Sequence, residues 1–588
     1  MSSTVSATHP PLSPLAASRP DVAARSFVRR AGTRIVDGTG APALERGVGI
    51  GTWLLPEGYM WGFRPAGRPG AGVPAQSPRE IEALFADLVG PERAATFWTR
   101  WRASFFTEAD VAEIAAQGFD HVRLPINSRV VMDDSGAFLA DGFTLIDACI
   151  DWCRVHGLHV VLDLHGAPGG QTGTNIDDSP RGRPELFTDP NYRALTVALW
   201  AELARRYSDE PVVAAYDLLN EPLPNEHAAA HAVDLVSLYR DLTATIRAID
   251  PDHLIMYEGL HWASDVSIFT EVWDANSAIQ FHRYWAPPDR AGIAPHLEVR
   301  DRLGLPIYMG EGGENGTDWL AAAFGLYTAQ GIGWNFWTWK KIDNPHSPAV
   351  VVPPPGWDAI AGYAAGTHER PDPDAAWATL LALVEAVRLP NCTWHGEVIA
   401  ALLHRTPVTL PAYAFSGACA GSRSIASSTA AESQTGAAEP ADAAGEPWPD
   451  EPVTIRYTGG DPDVNPFAAD PAERARAGTF AVHLRAGDRV DYDLHVAEPV
   501  ARPGGSSETT VTLRTGPAAP SGITPTPTPP ADPAAPLGTM TVRLGGVAVT
   551  GAWSGTAWRG STPTVPGATT LRIGVEDGVV DLIEIAVR

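Results

Sequence analysis

The sequence predicts a (β/α)8 TIM barrel followed by a C-terminal antiparallel β-sandwich of the jelly-roll type. Up to about residue 390, short β-rich runs alternate with amphipathic helical segments, which is typical of repeated βαβ units that close into a barrel. After about residue 400 the helical periodicity ends and short alternating runs remain, which favours an antiparallel sandwich.

Eight strand-like runs are predicted in the barrel, and the clearest helices between them cover residues 108–117, 145–156, 193–207 and 232–249. A doubly wound α/β sheet is the alternative, but no glycine-rich phosphate-binding turn follows the first run. In a barrel, the chemistry lies at the C-terminal ends of the strands. The eight runs are residues 48–51, 119–124, 159–163, 213–219, 253–257, 278–282, 306–310 and 333–337.

The sandwich is predicted from seven short alternating runs, interrupted by two low-complexity segments. Residues 422–449 are rich in Ala and Ser, and residues 516–536 are rich in Pro and Thr. Residues 1–30 lack periodicity and predict a disordered tail. The expected organisation is therefore a tail, a barrel over residues 31–395 and a sandwich over residues 396–588. The seven runs are residues 479–484, 489–496, 509–514, 540–544, 547–553, 569–573 and 580–587.

The composition excludes several classes of partner. Lys and Arg number 43 against 69 Asp and Glu, and the formal net charge of −26 disfavours binding to phosphate backbones and to anionic lipid surfaces. No run approaches the roughly 20 consecutive apolar residues that a membrane-spanning helix needs. We therefore expect no nucleic-acid partner and no membrane partner. The 19 tryptophans provide flat faces that suit stacking on sugar rings as well as core packing.

The N-terminal residues show no basic region followed by an apolar one, which is the pattern of a secretory signal. On this basis we expect the protein in the cytoplasm, with secretion by another route left open. The Asp and His residues do not form a ligand spacing such as His-Glu-x-x-His, so we expect no metal and no other cofactor. The sequence does not indicate an oligomeric state.

Two glutamates follow predicted barrel strands and could act as a pair. Glu221 lies in the run Asn-Glu-Pro after the fourth strand, and Glu311 follows the seventh strand. Two carboxyl groups at the barrel mouth could flank a glycosidic bond, one as acid/base and one as nucleophile. The alternative is that Glu221 is a charge at a helix N-terminus and Glu311 a solvated loop residue. Their joint position at strand ends favours the catalytic interpretation.

Further polar and aromatic residues end other predicted strands. Arg123 ends the second strand, His165 the third, His282 and Tyr284 the sixth, and Trp337 the eighth. A single histidine is more often a satisfied core residue than a functional one. Polar or aromatic residues at most of the strand ends do not fit a core, however, and they predict a polar pocket with an aromatic floor.

Seven ordered motifs between Leu44 and Leu389 carry a resemblance to a known family. Together they resemble glycoside hydrolase family 5, and within it the branch of exo-β-1,3-glucanases. The ordered set is specific, whereas any single motif would be weak. The motifs are GVGIGTWLLPE (47–57), HVRLP (121–125), DLHGAPGGQTG (163–173), NEP (220–222), HRY (282–284), GEG (310–312) and FWTWK (336–340).

The resemblance implies a retaining mechanism with Glu221 as acid/base and Glu311 as nucleophile. It also implies roles for the neighbouring residues. Asn220 would hold the sugar 2-hydroxyl, Arg123 and Tyr284 would orient the nucleophile, and His282 would support the acid/base. His165 and Trp337 would line the subsite of the sugar that is cleaved, and Glu57 would grip a terminal glucose.

The physical requirement is that the nucleophile stays ionised while the acid stays protonated near neutral pH. Arg123 close to Glu311 is expected to lower the pKa of Glu311. The negative charge of Glu311 is in turn expected to keep Glu221 protonated until the glycosyl-enzyme forms.

Some positions depart from the glucanase pattern. Gly-Ile-Gly-Thr-Trp at residues 49–53 replaces Asn-Leu-Gly-Gly-Trp. The loop after His165 lacks the Gly-Phe-Asp-Asn continuation typical of that branch, in which an acid helps to grip a terminal glucose. Asn175 replaces or displaces that acid, and Asp177 or Asp178 is a possible substitute. These departures leave the sugar open between glucose, galactose, mannose and a pentofuranose.

Other charged and aromatic residues near the predicted mouth have weaker roles. Lys340 and Lys341 would bring charge to the pocket rim. Glu314 is expected on a loop rather than as the nucleophile, and Glu258 is expected in a structural or rim role. Trp262 and Trp285 could each stack on sugar or pack in the core or a loop.

The sequence therefore predicts an enzyme, a retaining β-glycosidase that acts on a β-glucan, oligosaccharide or glycoside, with exo action favoured. An endo-acting glucanase or cellulase, a β-mannosidase, a β-galactosidase or a furanosidase are the alternatives within enzymes. A non-catalytic glycan-binding protein is the alternative outside them. The intact set of matched residues argues against that last alternative.

The predicted sandwich resembles carbohydrate-binding modules of the jelly-roll type, in particular over residues 485–492 and in its closing strand. This resemblance is less specific than that of the barrel. A sandwich that has lost ligand binding and supports the barrel is the alternative. Trp553 and Trp558 are the candidates for an exposed, sugar-stacking face.

Overall fold

The computed structural model describes most of the barrel and the strands of the C-terminal region. Residues 1–25, where most of the predicted tail falls, and the predicted low-complexity segments 422–449 and 516–536 lie outside the described residues. By its internal contacts the chain divides into two compact units. The first comprises Met1–Tyr284, Pro295–Glu314 and Gly331–Gly396, and the second Trp285–Ala294, Asn315–Gln330 and Glu397–Arg588. The described residues are 26–64, 72–419, 453–461, 463–468, 470–477, 479–497, 508–515, 539–554, 556–577 and 579–588.

The first unit begins with a short antiparallel hairpin of strands β1 (Arg29–Ala31) and β2 (Arg34–Val36). Eight parallel strands then form a closed barrel, in which β10 pairs with β3. This confirms the predicted barrel. Its strands are β3 (Arg46–Gly49), β4 (His121–Asn127), β5 (His159–Gly166), β6 (Val213–Asp217), β7 (Leu254–Glu258), β8 (Ser277–His282), β9 (Ile307–Gly313) and β10 (Gly333–Trp337).

The helices alternate with these strands, and the sequence marks several of their ends. Helix α3 begins after Thr107, which forms a capping box with Asp110, and ends at Gly118 in the left-handed conformation. No helix of the described residues is both long and apolar enough to cross a bilayer. The helices are α1 (Pro78–Val89), α2 (Pro91–Phe105), α3 (Glu108–Gln117), α4 (Ser128–Val131), α5 (Ala140–His156), α6 (Pro190–Tyr207), α7 (Asn225–Arg247), α8 (Leu260–Ala263), α9 (Ala294–Leu303), α10 (Thr317–Ala329), α11 (Trp357–Ala364), α12 (Pro373–Ala386), α13 (Gly396–Leu402) and α14 (Pro471–Arg474).

One end of the barrel is filled by apolar side chains from the hairpin and the strand beginnings. Val28 and Ile35 pack into a buried cluster with Leu44 and with residues of β5 to β9 such as Met256 and Tyr308. Burial of this apolar surface stabilises the barrel. It also leaves the opposite end, where the strands finish, for polar residues.

Six of the eight barrel strands end at other residues than predicted, and two of these differences concern the predicted acids. Strand β6 ends at Asp217 rather than at residue 219, because the chain turns at Glu221, which has a left-handed φ of 44°. Strand β9 extends to Gly313, so that Glu311 lies within the strand rather than after it. The backbone carbonyl of Glu311 accepts a hydrogen bond from the Arg283 amide (3.0 Å), which keeps this part of the strand paired.

A small three-stranded sheet of β11 (Lys340–Ile342), β12 (Ala349–Val351) and β13 (Thr393–Trp394) completes the strands of the first unit. The C-terminal region of the second unit contains the predicted antiparallel sheets, one of seven strands and one of five. The strands at residues 408–411, 417–419, 454–459 and 557–563 were not predicted. The strands are β14 (Val408–Pro411), β15 (Gly417–Cys419), β16 (Thr454–Gly459), β17 (Thr479–Arg485), β18 (Arg489–Val496), β19 (Glu508–Thr515), β20 (Thr539–Leu544), β21 (Val547–Ala548), β22 (Thr550–Ser554), β23 (Ala557–Pro563), β24 (Gly567–Asp577) and β25 (Val579–Val587).

The prediction that Trp558 lies on an exposed face is wrong. Trp558 is buried, and its ring lies where a side chain at Gly551 or Gly560 would otherwise be. Because Gly551 on β22 and Gly560 on β23 have no side chains, they leave room for the Trp558 indole. Trp553, on β22, is half-buried.

Candidate active site

Glu311 lies on β9 at the mouth of the barrel and is held by two donors. Arg123 Nη1 donates to Glu311 Oε2 (2.7 Å) and the Tyr284 hydroxyl donates to Oε1 (2.7 Å). Each carboxylate oxygen thus has one fixed partner. The structure brings Glu311, Arg123 and Tyr284 together, as the sequence predicts.

Arg123 is a fully buried cation among several carboxylates. Its Nε donates to Asp217 (2.9 Å), and its Nη2 donates to Glu258 (3.1 Å) and to Asn220 Oδ1 (2.8 Å). Asp163 lies 3.2 Å from the same Nη2. Although burial favours the neutral form, these carboxylates raise the pKa of Arg123 well above its usual value.

Glu221 stands opposite Glu311, in the loop after β6. Its Oε1 contacts His282 Nδ1 (2.8 Å). Burial raises the pKa of Glu221 to about 7, and the charge of Glu311 adds to this, although the hydrogen bond with His282 acts in the opposite direction. A carboxyl group with this pKa can be protonated near neutral pH and can give up its proton during a reaction.

The two acids are close to each other. A carboxylate oxygen of Glu221, a carboxylate oxygen of Glu311 and a ring nitrogen of His282 all lie within 4.8 Å of one another. Retaining glycosidases place their two carboxyl groups about 5–5.5 Å apart, whereas inverting ones need roughly 6.5–9.5 Å. The spacing therefore fits the retaining class.

The same trio is the group of three potential metal ligands that the described residues bring together. Both nitrogens of His282 already face carboxylates, Glu221 on one side and Glu258 (3.3 Å) on the other. A metal bound to either nitrogen would have to displace a carboxylate. The arrangement is better suited to proton transfer than to metal binding.

His282 and Glu258 form a coupled pair below Glu221. Although burial favours neutral imidazole, the neighbouring carboxylates of Glu258 and Glu311 raise the pKa of His282 well above its usual value. Burial alone would raise the pKa of Glu258, but His282 and Arg123 lower it overall. The pair is therefore a buried imidazolium and a carboxylate.

His165 and Trp337 form one wall of the pocket. Their rings are stacked with centroids 5.5 Å apart and an angle of 2°. Burial lowers the pKa of His165 to about 3, so the ring is neutral. Its Nδ1 then donates to Asp163 (2.7 Å), and its Nε2 can accept from Asn220 Nδ2 (3.3 Å).

Two glycines of the departing motif make room for this wall. A side chain at Gly49 or Gly51 would come within 2.8 Å of the Trp337 ring. The position of the Trp337 indole thus requires glycine at residues 49 and 51, at the end of β3 and just after it.

Glu57 and Tyr59 lie next to the same wall. Glu57 is buried, its Oε1 is 3.9 Å from His165 Nε2, and that oxygen has no hydrogen-bond partner among the described residues. Burial and the charges of Glu311 and Glu221 raise the pKa of Glu57 well above its usual value. The Tyr59 hydroxyl accepts from Trp337 Nε1 (2.9 Å).

Lys341 and Glu314 form an ion pair beside Tyr59. Lys341 Nζ contacts both Glu314 oxygens (2.5 and 2.6 Å) and lies 4.3 Å from the centre of the Tyr59 ring. The lysine is buried rather than at the rim. The Glu314 carboxylate is therefore paired with the Lys341 ammonium group, which is consistent with a role other than nucleophile.

Three expectations about charged residues near the mouth need correction. Asp177 does not grip sugar but accepts hydrogen bonds from the amides of Thr172, Gly173 and Ser179 within its own loop. Asp178 pairs with Arg129. Both carboxylates are thus used to fix the loop.

The third correction concerns Lys340, which is buried and not at a rim. Its Nζ donates to the carbonyls of Phe105 (2.6 Å) and Val387 (2.9 Å) and pairs with Asp110 (2.7 Å). Because side chains alternate along β11, neighbouring lysines face opposite ways. Lys341 lies near the pocket and Lys340 does not.

Sequence reasoning missed the carboxylates and the amide beneath the pocket. Glu258 was expected in a structural or rim role, and its full burial at the end of β7 favours the structural one. Asp163, Asp217 and Gln280 were not singled out. The signal that could have found them is that polar residues occur inside strands whose other positions are apolar, because buried charges need partners.

The chain matches the family described as Cellulase (glycosyl hydrolase family 5) over residues 89–343. It is 29% identical to a β-xylosidase of Phanerodontia chrysosporium, over 54% of this chain and 71% of the xylosidase. It is 32% identical to endoglucanase C of Acetivibrio thermocellus, over 41% of this chain and 85% of the endoglucanase. It is 33% identical to a probable glucan 1,3-β-glucosidase A of Aspergillus fumigatus, over 39% of this chain and 52% of that protein. The chain thus spans about half the length of this last relative.

Proposed function

Because the chain belongs to glycosyl hydrolase family 5, we propose that it is a retaining β-glycosidase that removes a terminal sugar from a β-glucan, oligosaccharide or glycoside. The observation that carries this proposal is the pair Glu221 and Glu311, with carboxylate oxygens within 4.8 Å of each other. The environments of the two acids differ. Glu311 accepts from a cation and a hydroxyl, and Glu221 has its pKa raised to about 7.

In the first step, a carboxylate oxygen of Glu311 attacks the anomeric carbon and forms a covalent bond to it. The bond between that carbon and the leaving oxygen breaks, and the Glu221 carboxyl gives its proton to the leaving oxygen. Arg123 and Tyr284 hold the nucleophile in place. Asn220 is oriented by Arg123 and can donate its amide hydrogen to the sugar 2-hydroxyl.

In the second step, Glu221 acts as base. Once Glu311 is bonded to the sugar, its charge is lost, so the pKa of Glu221 falls and its carboxylate form is favoured. Glu221 takes a proton from water, the water oxygen attacks the anomeric carbon, and the bond to Glu311 breaks. Two displacements return the sugar with its original configuration.

The residues that support exo action are those beside Trp337. Glu57, Tyr59, Lys341 and Glu314 fill the side of the pocket next to the His165 and Trp337 rings. The buried Lys341 with its partner Glu314, and the buried carboxyl of Glu57, support a pocket that is closed on this side. The partnerless Glu57 oxygen is suited to accept from the hydroxyls of a terminal sugar.

Endo action is the alternative, and it would require an open cleft on both sides of the acids. The endoglucanase among the relatives favours it. The sugar is a separate question, because the relatives are named as a xylosidase and as glucosidases as well as endoglucanases. A non-catalytic glycan-binding role would need the acid pair to serve no reaction.

The test is hydrolysis of aryl β-glucoside, β-xyloside, β-galactoside and β-mannoside, with the first-formed sugar anomer followed by NMR. We expect release of the β-anomer from one or two of these glycosides. Release of the α-anomer would contradict the retaining mechanism, and binding without release would favour the glycan-binding alternative. If a β-glucan polymer were used as substrate, release of internal fragments would favour endo action.

Replacing Glu221 with Ala is expected to slow glycosides with poor leaving groups much more than activated ones. General acid catalysis contributes about 10²–10⁴-fold, and a dinitrophenyl leaving group does not need the proton. We would measure kcat/KM across a series of aryl glycosides. An equal loss across the series would argue against the acid role.

The pH profile of kcat/KM should fall on its basic side near pH 7. Glu221 must be protonated to act as acid, and its pKa is raised to about 7, so the reactive form is lost as the pH rises through that value. We would measure kcat/KM from pH 4 to 10 with a poor leaving group. In the Glu221→Ala variant this basic decrease should disappear; its persistence there would assign it to another group.

A further inference from the structure

Glu258 is the last residue of β7 and is fully buried, and both of its oxygens have partners. Oε2 accepts from the backbone amide of Glu221 (2.6 Å). Oε1 accepts from Gln280 Nε2 (2.5 Å) and from Arg123 Nη2 (3.1 Å), and it lies 3.3 Å from His282 Nε2. The carboxylate therefore contacts the main chain of the acid/base and the histidine that contacts its side chain.

The main-chain contact falls on a strained residue. Glu221 has a φ of 44°, in the left-handed region that residues with a side chain rarely adopt. Such a conformation is strained and persists only when the surroundings hold it. The bond from the Glu221 amide to Glu258 is one of these restraints, and it acts directly on the residue whose carboxyl must face the substrate.

The side-chain contact runs through His282. Its Nδ1 faces Glu221 Oε1 (2.8 Å) and its Nε2 faces Glu258 Oε1 (3.3 Å). Imidazole donates from both nitrogens only when it is protonated. Gln280 Nε2 also lies 3.1 Å from His282 Nε2, and it donates to Asp217 (2.8 Å) and to Glu258 (2.5 Å).

We propose that Glu258 is a positioning residue for the acid/base: it holds the Glu221 backbone in its left-handed conformation and keeps His282 protonated against the Glu221 carboxyl. The inference rests on the proposed function, since it gives Glu221 the role of acid/base. Glu258 does not touch the substrate and acts only through Glu221 and His282.

The charged groups that face this pair come from four strands. These strands carry Arg123 on β4, Asp163 on β5, Asp217 on β6 and Glu311 on β9, and Glu221 faces the pair from the loop after β6. Removing the charge of Glu258 weakens the reason for His282 to stay protonated. Neutral His282 no longer carries the positive charge that lowers the pKa of Glu221, so the pKa of Glu221 rises. The direct loss of the Glu258 charge acts in the opposite direction, but His282 is the group in contact with the Glu221 carboxyl.

Asp217 offers a matched control. It is also a buried carboxylate, and it also accepts from Arg123 (2.9 Å) and from Gln280 Nε2 (2.8 Å). It has no contact with the Glu221 amide or with His282 among the hydrogen bonds and ion pairs of the described residues. Asp217→Asn should therefore share the effects that come from disturbing Arg123, but not those that come through the acid/base.

The experiment compares Glu258→Gln with Asp217→Asn in the full chain, using kcat/KM for phenyl and dinitrophenyl glycosides and its pH profile. For Glu258→Gln we expect a loss about 10²-fold larger with the phenyl leaving group, and a basic limb moved to higher pH. For Asp217→Asn we expect equal losses with both leaving groups and an unmoved basic limb. Equal losses in both variants, with neither limb moved, would overturn the proposal.

Glu258→Asp keeps the test valid if the glutamine variant does not fold. It retains the charge, so His282 stays protonated and the basic limb should remain in place. The shorter side chain no longer reaches the Glu221 amide, so the selective loss with the phenyl leaving group should persist. A uniform loss in this variant would overturn the positioning role. If the unaltered protein released no sugar or inverted its configuration, the proposed function itself would fail instead.

Discussion

Replacing Glu311 with Gln is expected to abolish turnover while the protein remains folded. The amide cannot attack the anomeric carbon, and loss of a nucleophile typically costs about 10⁴-fold or more. The side chain keeps its size, and Arg123 and Tyr284 can still contact one of its polar atoms. We would measure kcat with a dinitrophenyl glycoside, and folding by circular dichroism and thermal unfolding.

The matched control is Glu298→Gln, the same chemical change at an exposed position of α9, which should leave turnover unchanged. A smaller variant makes the assignment sharper. In Glu311→Gly, added azide should attack from the vacated side and give the α-glycosyl azide, whereas in Glu221→Ala it should give the β-glycosyl azide. Wild-type turnover in Glu311→Gln, or the reverse azide products, would show that the two roles are assigned wrongly.

Replacing Arg123 with Met should destabilise the whole barrel and not only impair catalysis. Arg123 is fully buried and lies within 3.2 Å of oxygens of Asp163, Asp217, Glu258 and Glu311. Removing one partner of a buried ion pair costs about 3–5 kcal/mol, because the remaining charge is left uncompensated. We would measure the free energy of unfolding in urea and the thermal midpoint.

The pH dependence of this loss gives a second check. Burial already raises the pKa values of Asp163 and Asp217 well above their usual range, and loss of the cation would raise them further. Their penalty is present at neutral pH and is relieved as the pH falls through those raised values. Arg205→Met, at an exposed arginine that pairs with Glu202, should leave the midpoint nearly unchanged. An Arg123→Met variant as stable as the unaltered protein at pH 7 would contradict the buried-pair argument.

The barrel and the main site residues could be predicted from the sequence for a physical reason. Parallel strands of a barrel are buried on both faces and read as short apolar runs, and their C-terminal ends meet at one mouth. Residues as distant in the chain as Arg123 and Glu311 therefore had to lie near each other. Their contact at 2.7 Å follows from this geometry together with their opposite charges.

The partners of the buried charges could not be predicted in the same way. Lys340 was expected at the rim and Glu258 in a structural or rim role, and both are buried. Which carboxylate pairs with which cation depends on side chains from strands that are far apart in the chain. The loop acids Asp177 and Asp178 were equally ambiguous, because a carboxylate that fixes a loop and one that binds sugar have the same appearance in a sequence.

The apolar cluster that the hairpin forms at one end of the barrel affects how water reaches the site and how the leaving group departs. Within the part of the barrel that the structure describes, Val28, Ile35 and Leu44 close the floor, so water and hydronium reach Glu221 by way of the mouth. A sugar bound at the mouth blocks this route. The leaving group must therefore depart through the mouth before a water molecule can reach the anomeric carbon of the glycosyl-enzyme.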